Sequence, residues 1–204
     1  MTQKIRENLA KRPDILVIAE IIPPNSRILD LGCGDGSLLA LLRKEKNVYG
    51  SGIEISQEKI LDCVSTGVPV VHGDLNRGLL ELPDKSFDYV VLSQTLQAVD
   101  RPDQLLVEMM RVGKKVIVSI INIGYYSARF QIMFQGKMPV TETLPLYWYN
   151  TPNIHLGTIC DFRNLCKDKN LNIVSEIPIG EMHEKLLASF WPNLFAPTCV
   201  FVIE

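Results

Sequence analysis

The sequence lacks a strong net charge of either sign. Its 204 residues carry 21 lysines and arginines against 23 aspartates and glutamates, which gives a formal net charge of −2. It therefore has no basic excess of the kind that favours nucleic acid or an anionic membrane surface. Long apolar runs are also missing, since none approaches the roughly 18 residues that span a bilayer. We expect neither nucleic-acid nor membrane partners.

The beginning of the chain lacks a persuasive secretion signal. Glu20 interrupts the apolar stretch from Ile15 to Ile22, and no small-residue cleavage site follows that stretch. We therefore expect a cytoplasmic protein.

Cysteine and histidine are too few and too scattered to indicate a disulfide framework or a metal site. The five cysteines are odd in number and form no C-x-x-C pair, and the three histidines are isolated from one another. Cys33 has no histidine as a sequence neighbour, so we interpret it as a small residue that suits a tight turn. We predict no metal site. The residues concerned are Cys33, Cys63, Cys160, Cys166, Cys199, His72, His155 and His183.

The pattern of apolar residues predicts one domain over residues 1–204. Short apolar runs without polar alternation indicate strands that are covered on both faces, and segments with helical spacing alternate with them. This alternation predicts a doubly wound, Rossmann-like α/β fold. The predicted strands are Arg27–Leu31, Val48–Ile53, Pro69–His72, Asp88–Ser93, Lys115–Ile121, Asn172–Ile177 and Thr198–Ile203. The predicted helices are Pro13–Ile22, Ser37–Lys46, a helix capped by Ser56 that runs to about Thr66, Pro102–Arg111 and Thr158–Lys169.

A glycine loop follows the first predicted strand. The ten residues from Arg27 read RILDLGCGDG, with Asp30 near the strand's end and glycines at 32, 34 and 36. Gly32, Gly34 and Gly36 suit a turn in which a ligand approaches the backbone, and the helix that follows offers unpaired N–H groups to an anionic group. The dinucleotide fingerprint is G-x-G-x-x-G, whereas Ser37 stands where its third glycine would be. This spacing disfavours a dinucleotide and favours another nucleoside-containing cofactor.

Two further acids follow the next two strands. Glu54 stands at the end of the second strand, where a carboxylate can accept hydrogen bonds from both hydroxyls of a ribose. Asp74 follows the third strand and suits the amine of an adenine, with helix capping or turn formation as the alternative. Open α/β sheets bind ligands at this edge. Five neighbours complete the predicted cofactor contacts: Cys33, Ile55, Leu75, Ser93 and Gln94.

DLGCGDG at 30–36, Glu54 and GDL at 73–75 together resemble the class I S-adenosylmethionine-dependent methyltransferases. That resemblance covers nearly the whole chain and implies a seven-stranded sheet whose last strand lies antiparallel beside the fifth. It implies that Asp30 and Gly32 lie near the methionine moiety of S-adenosylmethionine or S-adenosylhomocysteine. Glu54 would then bind the ribose, and Asp74 would lie near the adenine.

Longer blocks between residues 23 and 195 are similar to the MetW family of bacterial methionine biosynthesis proteins. The blocks are PPNSRILDLGCGDGSLL, FDYVVLSQTLQAV, RPDQLLVEMMRVG, GKMPVTETLPLYWYNTPNIHLGTICDF and WPNLF, in the family's order. The resemblance implies a role in homoserine O-acylation beside a separate homoserine O-acyltransferase, MetX. On this hypothesis the chain is a binding and regulatory subunit.

An active methyltransferase acting on a small molecule or a protein is the alternative. The segment from Ser93 lacks the [DN]-P-P-[YFW] motif of many amide and adenine methyltransferases, and Gln94 can orient an acceptor but cannot act as a base. His155, Tyr125 and Tyr147 are candidate bases only if the aromatic-rich insertion at 122–157 folds over the site. We expect this insertion to cover the site, a partner surface or a core of its own. The catalytic residue remains unassigned.

Overall fold

Seven strands form one mixed sheet in a computed structural model that describes residues 12–180 and 185–204. Their order is β3-β2-β1-β4-β5-β7-β6, with β1 to β5 parallel and β7 antiparallel to both β5 and β6. The doubly wound fold and the antiparallel last strand beside the fifth are thus confirmed. The strands are β1 (Arg27–Leu31), β2 (Tyr49–Glu54), β3 (Val70–His72), β4 (Phe87–Ser93), β5 (Gly113–Ile121), β6 (Ile173–Ile179) and β7 (Thr198–Ile203).

Helices cover both faces of this sheet. They are α1 (Pro13–Ile21), α2 (Ser37–Lys46), α3 (Gln57–Ser65), α4 (Pro102–Val112), α5 (Tyr126–Phe130), α6 (Ile159–Asp168), α7 (Lys185–Phe190) and α8 (Pro192–Phe195). Short 3₁₀ turns at Leu75–Arg77 and Leu96–Ala98 follow β3 and β4, and a π-helical turn, Gln131–Gln135, extends α5. The apolar pattern of the sequence did not indicate α7 and α8. Residues 1–11, on which the secretion-signal expectation partly falls, and His183 lie outside the described residues.

The core consists of two apolar clusters, one on each face of the sheet. On one face α1 and α2 contribute Ile18, Leu39 and Leu42, and on the other α4 and α6 contribute Met109 and Phe162. The central strands are apolar on both faces for this reason. The structure therefore agrees with the missing polar alternation in the sequence.

Several strand boundaries were wrong by one or two residues. β2 runs from Tyr49 to Glu54 instead of from Val48 to Ile53, because the ladder to β3 pairs Glu54 with His72. β4 and β5 begin at Phe87 and Gly113, which pair with each other. β3 begins one residue after Pro69, β6 runs from Ile173 to Ile179, and the five predicted helices end within one residue of the observed bounds.

Across the two described ranges, none of the helices has the length and apolar character required to cross a membrane. Those ranges also contain no group of three acidic, cysteine or histidine side chains able to hold a metal ion.

Candidate functional site

The predicted site residues lie where the carboxyl ends of β1, β2, β3 and β4 meet. β1 pairs with β2 on one side and β4 on the other, so chain connections leave this point in opposite directions. Such a switch point forms a crevice that binds ligands in open α/β sheets. The β1 ladder reaches Leu31, which pairs with Ile53 and Leu92, and the glycine loop starts immediately afterwards.

The three loop glycines all adopt positive φ, but their surroundings differ. A Cβ on Gly32 would lie 2.8 Å from Thr95, and one on Gly36 would lie 3.0 Å from the Cys63 sulfur. A Cβ on Gly34 would meet no atom within 4 Å, although its φ is +60°. Gly32 and Gly36 are therefore needed both for backbone conformation and for packing. Gly34 borders open space, as expected of a backbone position that a ligand approaches.

The Glu54 carboxylate is buried and joins the glycine loop to the start of α3. Its Oε2 accepts a hydrogen bond from the Gly34 N–H at 2.9 Å. Its Oε1 accepts bonds from the N–H groups of Ile55 and Ser56, both at 2.9 Å. A carboxylate has about four lone-pair sites, so capacity remains on the loop side. Ser56 is the N-cap position of α3 as predicted, but its side chain makes no cap bond. Glu54 accepts from the two amides that immediately precede the helix, those of Ile55 and Ser56.

Asp30 is 2% exposed and has no hydrogen-bond partner among the residues that the structure describes. Burial raises its pKa from 3.8 to about 7, the charge of Arg12 opposes that rise, and Glu54 adds to it. An unpartnered buried carboxyl group is rare because its desolvation is costly. This group is therefore suited to a cationic or hydrogen-bond-donating ligand.

Cys33 is buried beneath the loop, where it packs against Gly52 and Cys63. The two sulfurs are 3.9 Å apart, and Cys63 Sγ donates to the Gly34 carbonyl at 3.2 Å. Burial raises the pKa of the Cys33 thiol far above its usual range, and Asp30 adds to the effect. A thiol held neutral in this way is a poor nucleophile. Its surroundings are those of a packing residue.

Asp74 caps the 3₁₀ turn after β3, since its carboxylate accepts from the Asn76 N–H at 3.0 Å. The capping alternative is thus present, and an adenine contact by Asp74 stays a prediction. Asp74 also lines a cavity of about 650 Å³ together with Ile55, Gly73 and Leu75. Ile55 is largely exposed on this side.

Ser93, the last residue of β4, and the following Gln94 belong to a buried polar network that the sequence pattern did not reveal. Ser93 Oγ donates to the Asp14 carboxylate at 2.8 Å and accepts from Arg12 at 2.6 Å. Ser119 on β5 donates to Asp14 at 2.7 Å and accepts from the Gln94 N–H at 3.0 Å. Gln94 has a φ of +51°. No local pattern marks these partners, because Asp14 is 79 residues from Ser93 and 105 from Ser119.

The three candidate bases have separate surroundings. The His155 ring contacts the Asp100 carbonyl at 3.3 Å, and Tyr147 stacks on Tyr149 with ring centroids 5.6 Å apart. Tyr125 is buried, and its ring lies 4.6 Å from that of Tyr126. The structure does not bring the three together, and their catalytic roles remain hypotheses.

The family model described as "Methionine biosynthesis protein MetW" matches residues 12–203. The chain belongs to the MetW family. It is 38% identical over 197 residues to the bifunctional methionine biosynthesis protein MetXA/MetW of Rhodopirellula baltica, covering 92% of this chain and 32% of that protein. It is 29% identical over 134 residues to a demethylmenaquinone methyltransferase of Listeria monocytogenes, covering 58% of this chain and 56% of the enzyme. The chain thus spans about a third and about half of these relatives.

The fold is that of the class I methyltransferases. An S-adenosylmethionine-dependent methyltransferase from Thermotoga maritima superposes with a TM-score of 0.68 at 19% identity, over 96% of this chain and 89% of that one. At this identity the likeness concerns the fold alone. The cofactor roles predicted for individual residues of this chain therefore depend on the geometry of its own crevice.

Proposed function

We propose that this MetW-family chain binds S-adenosylmethionine or S-adenosylhomocysteine and acts with a homoserine O-acyltransferase, MetX, in homoserine O-acylation. The observation that carries the partnership is the relative named MetXA/MetW, which joins both names in one chain. Fusion of two domains keeps them at a high effective concentration, which favours partners that act together.

The crevice supports the cofactor part of this proposal. Gly34 borders open space, and Glu54 keeps acceptor capacity on the same side. Asp30 is a buried acid with no hydrogen-bond partner among the residues whose structure is described. We assign the ribose to Glu54, and the methionine end to Asp30 and Gly32. When bound, S-adenosylmethionine would supply a sulfonium methyl group, while this chain's residues would hold and orient the nucleoside.

The aromatic segment at 122–157 supports the partner part. Tyr147, Trp148 and Tyr149 are 57%, 72% and 68% exposed, and Met133 and Phe134 are exposed too. Soluble domains rarely expose so many large apolar side chains together unless another surface covers them. We assign this segment to the contact with the acyltransferase.

S-adenosylmethionine is made from methionine, so its binding would let the pathway's product act on an early step. A coupled acylation assay tests this idea. We expect the acyltransferase rate to change when this chain is added, and to change again with S-adenosylmethionine. An acyltransferase that is indifferent to the chain, with and without the cofactor, would contradict the proposal.

Glu54→Gln tests the cofactor assignment, with thermal unfolding of the same variant as the measure of folding. The amide oxygen can still accept the Ile55 and Ser56 N–H bonds, while the amide NH2 would face the Gly34 N–H and the charge is removed. Loss of one charge-assisted bond should weaken cofactor affinity about 10- to 150-fold by calorimetry. The control is Asp84→Asn, an exposed acid paired with Arg111, which should leave the affinity unchanged.

The second candidate, a methyltransferase, is favoured by the quinone methyltransferase relatives at 29% identity. Its test is formation of S-adenosylhomocysteine that depends on an added acceptor. Turnover with a demethylated quinone, in the absence of any acyltransferase, would support this candidate over the regulatory one.

A further inference from the structure

The most extensive buried polar network of the crevice begins before α1. Arg12 forms a two-pronged ion pair with Asp14, with Nε to Oδ1 and Nη2 to Oδ2 both at 2.9 Å. The same Nη2 donates to Ser93 Oγ at 2.6 Å. Asp14 is fully buried and also accepts from Ser119. The guanidinium is therefore fixed in orientation from one edge.

The third nitrogen of the fixed guanidinium is Nη1. Among residues 12–180 and 185–204, no hydrogen-bond partner of Arg12 Nη1 is found, and the side chain is 33% exposed. Arginine presents five N–H donors in one plane. Asp14 and Ser93 occupy Nε and both hydrogens of Nη2, so the two N–H groups of Nη1 remain available to a carboxylate oxygen.

The sheet sets the position of the Arg12 guanidinium. Ser93 lies one residue beyond Leu92, the pairing partner of Leu31 at the end of β1, so Arg12 sits at the β1–β4 switch point. Its charge acts on Asp30, which is buried and has no hydrogen-bond partner within 12–180 and 185–204. The crevice thus offers a cationic N–H group and a buried acid within electrostatic reach of each other. An α-amino acid end, with a carboxylate and an ammonium, has the complementary groups.

We propose that Arg12 binds the carboxylate of the ligand's amino-acid end, held in place by Asp14, Ser93 and Ser119. This inference rests on the proposed cofactor and adds a binding residue to it. Asp14 alone would satisfy only part of the guanidinium, and the serine hydroxyls orient the pair without adding charge. A lysine in place of Arg12 has a single nitrogen, which it would have to share between Asp14 and the ligand.

The test compares S-adenosylmethionine with decarboxylated S-adenosylmethionine by calorimetry. The second ligand keeps the nucleoside, the sulfonium and the amine but lacks the carboxylate. We expect Arg12→Gln to weaken S-adenosylmethionine about 10- to 150-fold, and the decarboxylated ligand much less. Arg27→Gln, at the opposite end of β1, is the matched control and should change neither affinity.

Equal losses for both ligands in Arg12→Gln would overturn the inference, since a purely structural role predicts them. The double variant Arg12→Gln, Asp14→Asn removes both charges and serves if the single variant fails to fold; it should show the same selective loss. A parent that binds S-adenosylmethionine without distinguishing the decarboxylated form overturns this inference alone. A parent that binds neither ligand overturns the proposed cofactor as well.

Discussion

The crevice at the ends of β1 and β4 buries charged groups, whereas the aromatic segment at 122–157 exposes apolar ones. In the crevice, charged groups are buried, and Glu54 and Asp14 are satisfied by backbone amides, hydroxyls and Arg12. In the segment, apolar rings such as Trp148 are left in contact with solvent. Burying charge requires fixed partners within the chain, whereas exposed rings do not. Substitutions in the crevice should therefore change stability and ligand affinity, and those in the segment should change association.

The largest effect is expected at Asp14. Asp14→Ala leaves the Arg12 guanidinium without its ion pair and Ser119 without its acceptor. Breaking a buried pair from one side costs about 3–5 kcal/mol of unfolding free energy. Urea unfolding measures it. Asp88→Ala, which breaks a more exposed pair with Lys114, should cost about 1 kcal/mol or less. Equal losses at the two sites would erase the contrast between buried and surface charge.

Substitution of Asp30 should raise stability at high pH, the opposite of the loss expected at Asp14. Its pKa is raised from 3.8 to about 7 by burial, so the folded state binds the proton more tightly than the unfolded chain does. Stability should fall as pH rises from about 4 through 7, with a penalty on the order of 4 kcal/mol above that window. Asp30→Asn should therefore raise the melting temperature at pH 8 and leave it nearly unchanged at pH 4. A variant that is less stable than the parent at pH 8 would argue against an unpartnered acid.

Gly34 and Gly36 form a matched pair within the crevice. Both have positive φ, so alanine at either position costs about 1–2 kcal/mol of backbone strain. Gly36→Ala also presses on Cys63 and Val68, so it should be the less stable variant in thermal unfolding. Gly34→Ala adds its methyl group only to open space, so its stability loss should be the smaller of the two. Its cofactor affinity should nevertheless fall, because the methyl group enters the space assigned to the ligand. Normal cofactor binding by Gly34→Ala would move the ligand away from this loop.

The smallest stability effect is expected in the aromatic segment. Trp148 is 72% exposed, so Trp148→Ala should change the free energy of unfolding by no more than about 0.5 kcal/mol. The same substitution should weaken binding to the acyltransferase by about 30-fold, the loss expected at a central contact. Leu61→Ala, an equally exposed apolar position on α3, is the control and should leave the complex intact. Matching losses for both variants would mean that association does not depend on this segment.

Much of the architecture was predictable from local pattern. The bounds of β1, α2 and β7 agree with the prediction, because apolar runs and helical spacing show directly in the sequence. Errors occurred where pairing decides a boundary, as at Glu54, which the ladder to His72 draws into β2. The two short helices after residue 184 were missed, since neither is long enough to show a clear period.

The sequence by itself determined most strand and helix positions, the glycine loop, and the acids at or next to the ends of β1, β2 and β3. These signals work because each needs only neighbours within about ten residues. Only the tertiary structure decided that Arg12 and Asp14 meet Ser93 and Ser119, and that the aromatic rings face outward. It also decided that Asp30 is buried with no hydrogen-bond partner in the described part of the chain. Those outcomes depend on residues up to 105 positions apart, which come together only when β4 and β5 pair and α1 packs against them.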